Sequence, residues 1–115
     1  MNIVTLGIAS RDQSNKRFFD ALDGKQQGAF ISFESPALLF KTLSGKRWEL
    51  LKVMTGAGPM SIREAARRSG RDVKAVHRDV HVLLKVGILQ KTPKGRIEFP
   101  YDALQVDFML QAQAA

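Results

Sequence analysis

The sequence contains no cysteine among its 115 residues, so disulfide bonds and thiolate metal sites are excluded. It also contains one tryptophan, one tyrosine and two histidines. The lack of cysteine is compatible with a reducing cytoplasm and rules out a thiol redox switch. The composition therefore indicates a protein that functions without disulfides or thiol chemistry.

Long hydrophobic runs are missing as well. The first nine residues are largely apolar, but they lack a basic leader, are too short to cross a bilayer and continue into Arg11 and Asp12. We therefore expect no signal peptide, no membrane-spanning segment and no membrane partner, and we expect a cytoplasmic location. With 44% hydrophobic residues, a chain of this length is sufficient for one domain with one core.

Residue patterns typical of enzymes are also absent. No nucleophile or carboxylate pair stands out, and Gly56-Ala57-Gly58 is not followed by the Gly-Lys-Ser/Thr of a phosphate-binding loop. His77 and His81 have the i, i+4 spacing that can hold a metal ion, but no third ligand of suitable type is evident nearby. We predict that the protein is not an enzyme and that it has no cofactor and no bound metal.

The chain does have a strongly uneven charge. Its formal net charge is +7, yet residues 1–35 hold four basic and four acidic side chains, residues 36–99 hold fourteen and five, and residues 100–115 hold none and two. The formal net charges of the three segments are therefore 0, +9 and −2. A localised basic surface is typical of a protein that binds a polyanion, although lysine and arginine can also merely keep a domain in solution.

The most informative pattern predicts two short helices with a tight turn between them. The first helix starts with the capping box Ser61-Ile62-Arg63-Glu64, in which the Ser61 hydroxyl accepts from the backbone N–H of Glu64 and the Glu64 carboxylate bonds back to Ser61. Gly70 ends this helix. Its inward residues are Ile62, Ala65 and Ala66, and its outward residues are Arg63, Arg67 and Arg68.

The second helix is predicted to begin after the cap residue Asp72 and to end at Gly87. Apolar residues recur along it at intervals of three and four, which predicts one buried stripe of Val73, Val76, Val80, Leu83 and Leu84. The opposite stripe is basic and comprises Lys74, His77, Arg78, His81 and Lys85.

A basic hairpin follows the second helix. Ile88–Gln90 and Arg96–Phe99 are predicted as two short strands around Lys91-Thr92-Pro93-Lys94-Gly95, whose turn formers favour a hairpin tip. Two helices followed by a basic hairpin are the anatomy of a winged helix-turn-helix, whose second helix enters the DNA major groove.

The segments before this motif predict a strand, a helix and an extended segment, and then two further helices. The first three are placed at Ile3–Ala9, Ser14–Leu22 and Ala29–Phe33. Ser35-Pro36 begins a helix that runs to Leu43. Ser44 caps the next helix, in which the inward residues are Trp48, Leu50, Leu51 and Met54, so Trp48 is interpreted as a core residue before any stacking role.

After the hairpin, the alternation of Leu104, Val106, Phe108 and Leu110 with polar residues predicts a strand. The aliphatic strands at the two ends of the chain either pair with each other or pair across a dimer axis, and they are our hypothesis for a dimer interface. The predicted class is α+β, mainly α. It comprises a strand-helix extension at residues 1–34, which we interpret as a dimerisation region, the winged helix-turn-helix at 35–100, and a strand and tail at 101–115.

With these residues laid out, the chain resembles the prokaryotic MarR-like winged helix-turn-helix regulators, in particular small predicted regulators of the antitoxin or repressor type. The resemblance covers about residues 30 to 110 and implies sequence-specific DNA binding as a homodimer on a palindromic site, with control of the gene's own operon. The matching segments are Ser32-Phe33-Glu34-Ser35-Pro36, Lys46-Arg47-Trp48-Glu49-Leu50-Leu51, Met60 to Arg68, Arg71-Asp72-Val73, His77-Arg78-Asp79-Val80 and Phe99-Pro100-Tyr101-Asp102.

The candidate DNA contacts fall into two groups. Residues near the amino end of the second helix are base-reading or near-base candidates, and Arg78 is the leading candidate for bonding guanine O6 and N7 together. This group comprises Arg71, Lys74, Ala75 and Arg78, with His77 and His81 as groove or phosphate contacts. The phosphate candidates are Arg63, Arg67 and Arg68 on the first helix and Lys91, Lys94 and Arg96 on the hairpin. Asp79 is expected to orient a neighbouring cation by pairing with Arg78, Lys74 or Lys85.

The residue patterns predict a double-stranded DNA-binding protein, and the resemblance implies that it is a transcriptional regulator, a homodimer that represses its own gene. One alternative is a protein-interaction module, such as an antitoxin that neutralises a partner toxin, with DNA binding secondary. A second alternative is binding of structured RNA, which is weakly supported because Tyr101 is the only aromatic residue expected to be both exposed and close to the basic face.

Overall fold

A computed structural model describes residues 1–8, 29–110 and 112. The helix predicted at Ser14–Leu22 lies outside these residues. In the described part, the chain is an α+β protein with four helices, a three-stranded parallel sheet and a two-stranded antiparallel hairpin. The strands are β1 (Ile3–Ile8), β2 (Ala29–Phe33), β3 (Gln90–Lys91), β4 (Ile97–Glu98) and β5 (Ala103–Asp107). The helices are α1 (Pro36–Thr42), α2 (Gly45–Met54), α3 (Ile62–Ser69) and α4 (Val73–Val86).

The parallel sheet joins the two ends of the described chain. Its order is β2-β1-β5, with Val4 opposite Ala29 on one side and Val4 opposite Leu104 on the other. Strands form near both ends of the chain as predicted, and of the two expected arrangements they adopt pairing within one chain. The second strand, predicted to reach Leu110, ends at Asp107, because its pairing with β1 stops at Gly7 and Phe108 packs against Phe40 instead. The backbone N–H of Asn2 donates to Asp102 Oδ2 at 2.7 Å, and the Asp102 N–H donates to the Asn2 carbonyl at 2.7 Å, so the start of β1 is fastened to the start of β5.

One hydrophobic core unites this sheet with the helices. Val4 and Leu6 of β1 are fully buried, and they belong to the same cluster as the inward residues of α2 and α4. The strand predicted as part of an amino-terminal extension therefore contributes directly to the core that supports the helices. The fully buried members from the two helices are Leu50, Met54, Val76, Val80 and Leu83.

The predicted starts of α1 and α2 are confirmed, but the position of Trp48 is not. The Ser35 hydroxyl accepts from the Leu38 N–H at 3.1 Å, whereas Ser44 occupies the cap position without a side-chain cap bond. Trp48 is 42% exposed, so its interpretation as a core residue is wrong. The inward stripe of α2 begins one residue earlier, at Arg47, and continues through Leu50, Leu51 and Met54 at helical spacing.

The pair α3 and α4 forms as predicted, with one exception in its buried stripe. Gly70 and Gly87 end the two helices in the left-handed region, with φ of 67° and 89°. Val76, Val80 and Leu83 are fully buried and Leu84 is partly buried. Val73 is 41% exposed, contrary to the prediction, because it is the first residue of α4 and lies beside the exposed Asp72 and Lys74, before the buried stripe begins at Val76.

The hairpin starts two residues later than predicted. Ile88 and Leu89, expected at the start of the first strand, are buried, and both of their N–H groups donate to the Leu83 carbonyl, so they prolong the carboxyl end of α4. Ile97 in β4 exchanges two backbone hydrogen bonds, of 2.8 and 2.9 Å, with Met60. Because Met60 immediately precedes the cap of α3, the hairpin is held beside the start of that helix.

No helix in the described part of the chain has both the length and the apolar character needed to span a membrane.

Candidate nucleic-acid interface

The exposed face of α4 is basic over its whole length. Asp72 Oδ2 accepts from the N–H groups of Lys74 and Ala75 at 3.1 and 3.3 Å, which fixes the start of the helix. Since the opposite face is buried in the core, these side chains point away from the protein, and Ala75 is half-buried at the border. The exposed residues are Lys74, His77, Arg78, His81 and Lys85, as predicted.

Arg78 is exposed at the centre of this face. Within the described residues neither Arg78 nor the flanking Lys74 and Lys85 makes an ion pair with a carboxylate. An unpaired guanidinium keeps all its N–H donors available for a ligand. The predicted pairing of Asp79 with one of these three cations is therefore wrong.

Asp79 is instead clamped between two arginines from other parts of the chain. Its Oδ1 accepts from Arg47 Nε at 3.1 Å, and its Oδ2 lies 2.7 Å from Arg71 Nη2. The side chains of Arg47, Asp79 and Arg71 are 21%, 13% and 17% exposed. Arg71 was predicted to read bases, but its guanidinium is largely enclosed and bound to Asp79, so it positions the turn between α3 and α4.

Arg47 extends this clamp to a third helix. Its Nη1 donates to the carbonyls of Lys41 and Thr42 at 3.1 and 3.2 Å, at the carboxyl end of α1. A cation at a helix carboxyl terminus meets both the unpaired carbonyls and the negative end of the helix dipole. No role was predicted for Arg47, although its position indicates one. Arg47 lies on the inward stripe of α2, and a cation on an inward stripe requires an anion nearby.

Two of the three arginines of α3, Arg67 and Arg68, are bound by Glu64. The Ser61 hydroxyl accepts from the Glu64 N–H at 3.0 Å, which confirms half of the capping box. The Glu64 carboxylate does not complete the box, because its oxygens accept from Arg67 and from Arg68, the latter at 2.8 Å. Arg63 makes no such contact among the described residues and is exposed.

This pairing shifts the ionisation of Glu64. Hydrogen bonds from Arg67, and then from Arg68, favour the charged carboxylate and lower the pKa of Glu64 from 4.5 to about 2. The two arginines are thus partly neutralised before any ligand arrives. They are weaker phosphate candidates than Arg63, because a phosphate must compete with Glu64.

The predicted hairpin cations are all exposed. The Thr92 N–H donates to the Arg96 carbonyl at 2.8 Å and the Arg96 N–H donates to the Thr92 hydroxyl at 3.1 Å, which closes the hairpin tip. Lys91, Lys94 and Arg96 point into solvent around that tip. Tyr101 is half-buried and packs edge-on against Phe99 with ring centroids 5.4 Å apart, so it offers no open stacking face.

The cations without an acidic partner among the described residues lie on three neighbouring elements, and they include Lys85, which was not among the predicted contacts. α3 and α4 pack against each other, and Met60 ties the hairpin to the start of α3. The cations of these elements that have no carboxylate partner among the described residues are Arg63, Lys74, Arg78, Lys85, Lys91, Lys94 and Arg96. Arg67, Arg68 and Arg71 are engaged by acidic side chains.

Comparison of the sequence with models of known protein families identifies the family of the chain. The model of a family described as HVO_A0114 matches residues 42–106, more than half of the chain. The chain belongs to this family. The match extends from the end of α1 into β5 and includes the three clamp residues Arg47, Arg71 and Asp79. No curated protein matches the sequence.

The clamp around Asp79 predicts a large loss of stability on neutralisation of its carboxylate. Asp79→Asn leaves two enclosed guanidinium groups without their anion, and hydrogen bonds to charged groups contribute about 1.5 to 3 kcal/mol each. We expect the free energy of unfolding, measured by chemical denaturation, to fall by about 2 to 3 kcal/mol. Glu49→Gln is the matched control, because Glu49 and Lys52 form an exposed pair at 3.5 Å, and its effect should stay below about 0.5 kcal/mol. Equal effects of the two substitutions would contradict the clamp.

The pairing of Glu64 predicts a specific pH dependence. Since the folded-state pKa lies below 4.5, the pairing stabilises the protein fully above that value and is lost as the pH falls towards 2. A carboxyl-detected NMR titration should place the midpoint of Glu64 near 2, and Arg67→Ala should move it upwards. Arg63→Ala removes a charge from the same helix without touching Glu64, so the midpoint should stay in place. A normal midpoint in the unsubstituted protein would disprove the pairing.

Proposed function

We propose that this HVO_A0114-family protein is a sequence-specific double-stranded DNA-binding transcriptional regulator with a winged helix-turn-helix. In this proposal α3 and α4 form the helix-turn-helix, α4 is the recognition helix and the hairpin is the wing. The observation that carries the proposal is the two-sided character of α4. One side is buried in the core, and the other presents five basic or imidazole side chains without an acidic partner among the described residues.

The dimensions of α4 suit a major groove. A helix of 14 residues is about 21 Å long, and the groove is about 12 Å wide, so α4 fits with its amino half deepest. Lys74 and Arg78 lie in that half and project from the same face. A guanidinium that bonds O6 and N7 of guanine together discriminates against other bases by about 1 to 3 kcal/mol. Arg78 is the residue to which we assign base reading.

The remaining free cations fit phosphate contacts. Arg63 lies in the first turn of α3, and Lys91, Lys94 and Arg96 surround the hairpin tip. Contacts to phosphates give affinity and orientation without base sequence information. Arg71 is assigned no base contact, because its part in the clamp is to hold the turn that precedes α4.

Repression of the protein's own gene is the biological role we propose for this DNA binding. The sequence resemblance to small MarR-like regulators supports it, since such regulators commonly bind upstream of their own operon. The operator is proposed to be a palindrome read by two copies of the chain.

We infer that the two copies associate through β5. This strand lies at one edge of the parallel sheet. Its residue Val106 is exposed, as are Met109 and Leu110, which follow the strand. A two-fold axis at Gln105 would align the β5 strands of two copies antiparallel, with Leu104 of each copy opposite Val106 of the other and without close apposition of the Asp107 carboxylates. Pairing would also cover an open sheet edge.

A protein-interaction module is the second candidate, and the exposed apolar side chains favour it. Leu110 is 97% exposed and Phe40 is 60% exposed, with Phe40 packed edge-on against Phe108 at a centroid distance of 5.5 Å. Trp48 also lines a shallow apolar groove with Phe99 and Leu104. A partner such as a cognate toxin would bind this side of the protein, and DNA binding would then be secondary.

The DNA proposal predicts steeply salt-dependent, sequence-specific binding. About six phosphate contacts give a slope of log K against log salt near −5. We expect the protein to prefer the DNA upstream of its own gene over a scrambled duplex of equal length by about a thousandfold or more, measured by fluorescence anisotropy over a salt series. Arg78→Ala should abolish most of the preference while leaving non-specific binding largely in place.

Lys52→Ala is the matched control for Arg78→Ala. It removes one positive charge from α2, where Lys52 pairs with Glu49, and should change neither the slope nor the preference. A slope near −1 would contradict the docking of α4 and the hairpin. Equal binding of both duplexes would refute sequence-specific recognition, and absence of DNA binding would favour the protein-interaction candidate.

The proposed dimer predicts a different response at the two edges of the same sheet. Gln105→Lys places two like charges opposite each other at the axis, so sedimentation equilibrium at micromolar concentration should change from dimer to monomer. Ser32→Lys introduces the same charge on β2, at the other edge, and should leave the dimer intact. A stable monomer of the unsubstituted protein would remove the dimer proposal.

A further inference from the structure

The two histidines of the chain lie one helical turn apart on the exposed face of α4. The Nε2 atoms of His77 and His81 are 3.1 Å apart, and the ring centroids are 4.3 Å apart. Both side chains are exposed to solvent. Since the sequence has two histidines and no cysteine, all of its strong nitrogen and sulfur side-chain ligands for transition metals are in this pair.

The separation of the two nitrogens equals that of two ligands on one metal ion. Imidazole nitrogens bind Zn²⁺ at about 2.0 to 2.1 Å, so ligand angles between square-planar and tetrahedral values place them about 2.9 to 3.3 Å apart. Without metal, the same distance is an N–H···N hydrogen bond between two neutral rings. A divalent ion can replace the shared proton with little rearrangement of either side chain.

We propose that His77 and His81 form a two-histidine chelate for a divalent transition-metal ion of the Ni²⁺, Cu²⁺ or Zn²⁺ class. Imidazole ligands suit these ions, whereas Mg²⁺ and Ca²⁺ prefer oxygen. The i, i+4 spacing on a rigid helix makes binding of the second imidazole intramolecular, which strengthens the site over a single histidine.

The surroundings determine the character of the site. In residues 1–8, 29–110 and 112 there is no group of three or more His, Cys, Asp or Glu side chains that could hold a metal. Within this part of the chain, the two imidazoles are the protein ligands, and water or an external anion would complete the coordination. Lys74, Arg78 and Lys85 share the exposed face and repel a cation, so the site binds less tightly than a closed site with four protein ligands. The proposal does not depend on DNA binding by α4.

Isothermal titration of the full chain with Ni²⁺ at neutral pH tests the site. We expect one ion per chain, with affinity lower by about a hundredfold in His77→Ala and in His81→Ala, because each variant leaves a single imidazole. Circular dichroism of the variants should be unchanged, since both side chains are exposed. No heat of binding by the unsubstituted protein, or an affinity of either alanine variant equal to that of the unsubstituted protein, would overturn the proposal.

A spacing variant separates chelation from the mere presence of histidine. His81→Ala combined with Lys85→His retains two histidines on the same helix face but moves them about 12 Å apart along the axis, too far for one ion. It should bind Ni²⁺ as weakly as His81→Ala alone. Affinity equal to that of the unsubstituted protein would show that any two histidines suffice and would overturn the chelate.

Discussion

The position of α4 depends on one carboxylate shared by two arginines. Asp79 binds Arg47 from α2 and Arg71 from the turn before α4, and Arg47 also bonds the last carbonyls of α1. Apolar packing through Val76, Val80 and Leu83 is non-directional and tolerates small rotations of the helix, whereas the hydrogen bonds of Arg47 are directional and the ion pair of Arg71 with Asp79 adds a second short contact. The rotation of α4 about its axis, and thus the direction of Arg78, is set by groups that cannot themselves reach a ligand.

Local patterns were sufficient to predict most elements of the described chain. The caps at Ser35, Ser61 and Asp72, and the glycines that end α3 and α4, are determined by short-range backbone chemistry. The prediction for Trp48 was wrong because the inward stripe of α2 starts with the charged residue Arg47. A stripe defined by apolar residues alone starts one residue later, at Trp48. The late start of the hairpin has a similar origin, since Ile88 and Leu89 were assigned by β propensity but are buried at the end of α4.

Charge partners were less predictable than elements. On a helix surface, Asp79 has cations at suitable spacing, yet it lies toward the interior, where Arg47 and Arg71 arrive from distant sequence positions. Glu64 likewise bonds Arg67 and Arg68 rather than completing its capping box. Which charged side chains become neighbours away from bulk water depends on the assembled fold. In this fold Arg71, which was predicted to contact DNA bases, pairs with Asp79 instead.

The acidic side chains of the basic segment explain why its positive charge is concentrated on one side. All five acidic residues between positions 36 and 99 have an internal role: Glu49 pairs with Lys52, Glu64 with two arginines and Asp79 with two more, while Asp72 caps α4 and Glu98 accepts from Gln90. Among the described residues, none of these carboxylates pairs with the exposed cations of α4 or of the hairpin. The pairs that these carboxylates form involve cations of α2, α3 and the turn before α4, so the exposed cations of α4 and the hairpin are left uncompensated and contribute most of the +9 excess. In the proposed DNA complex, these charges would attract the phosphates over distances set by the ionic strength, and the direction of Arg78 would then select the bases that it contacts.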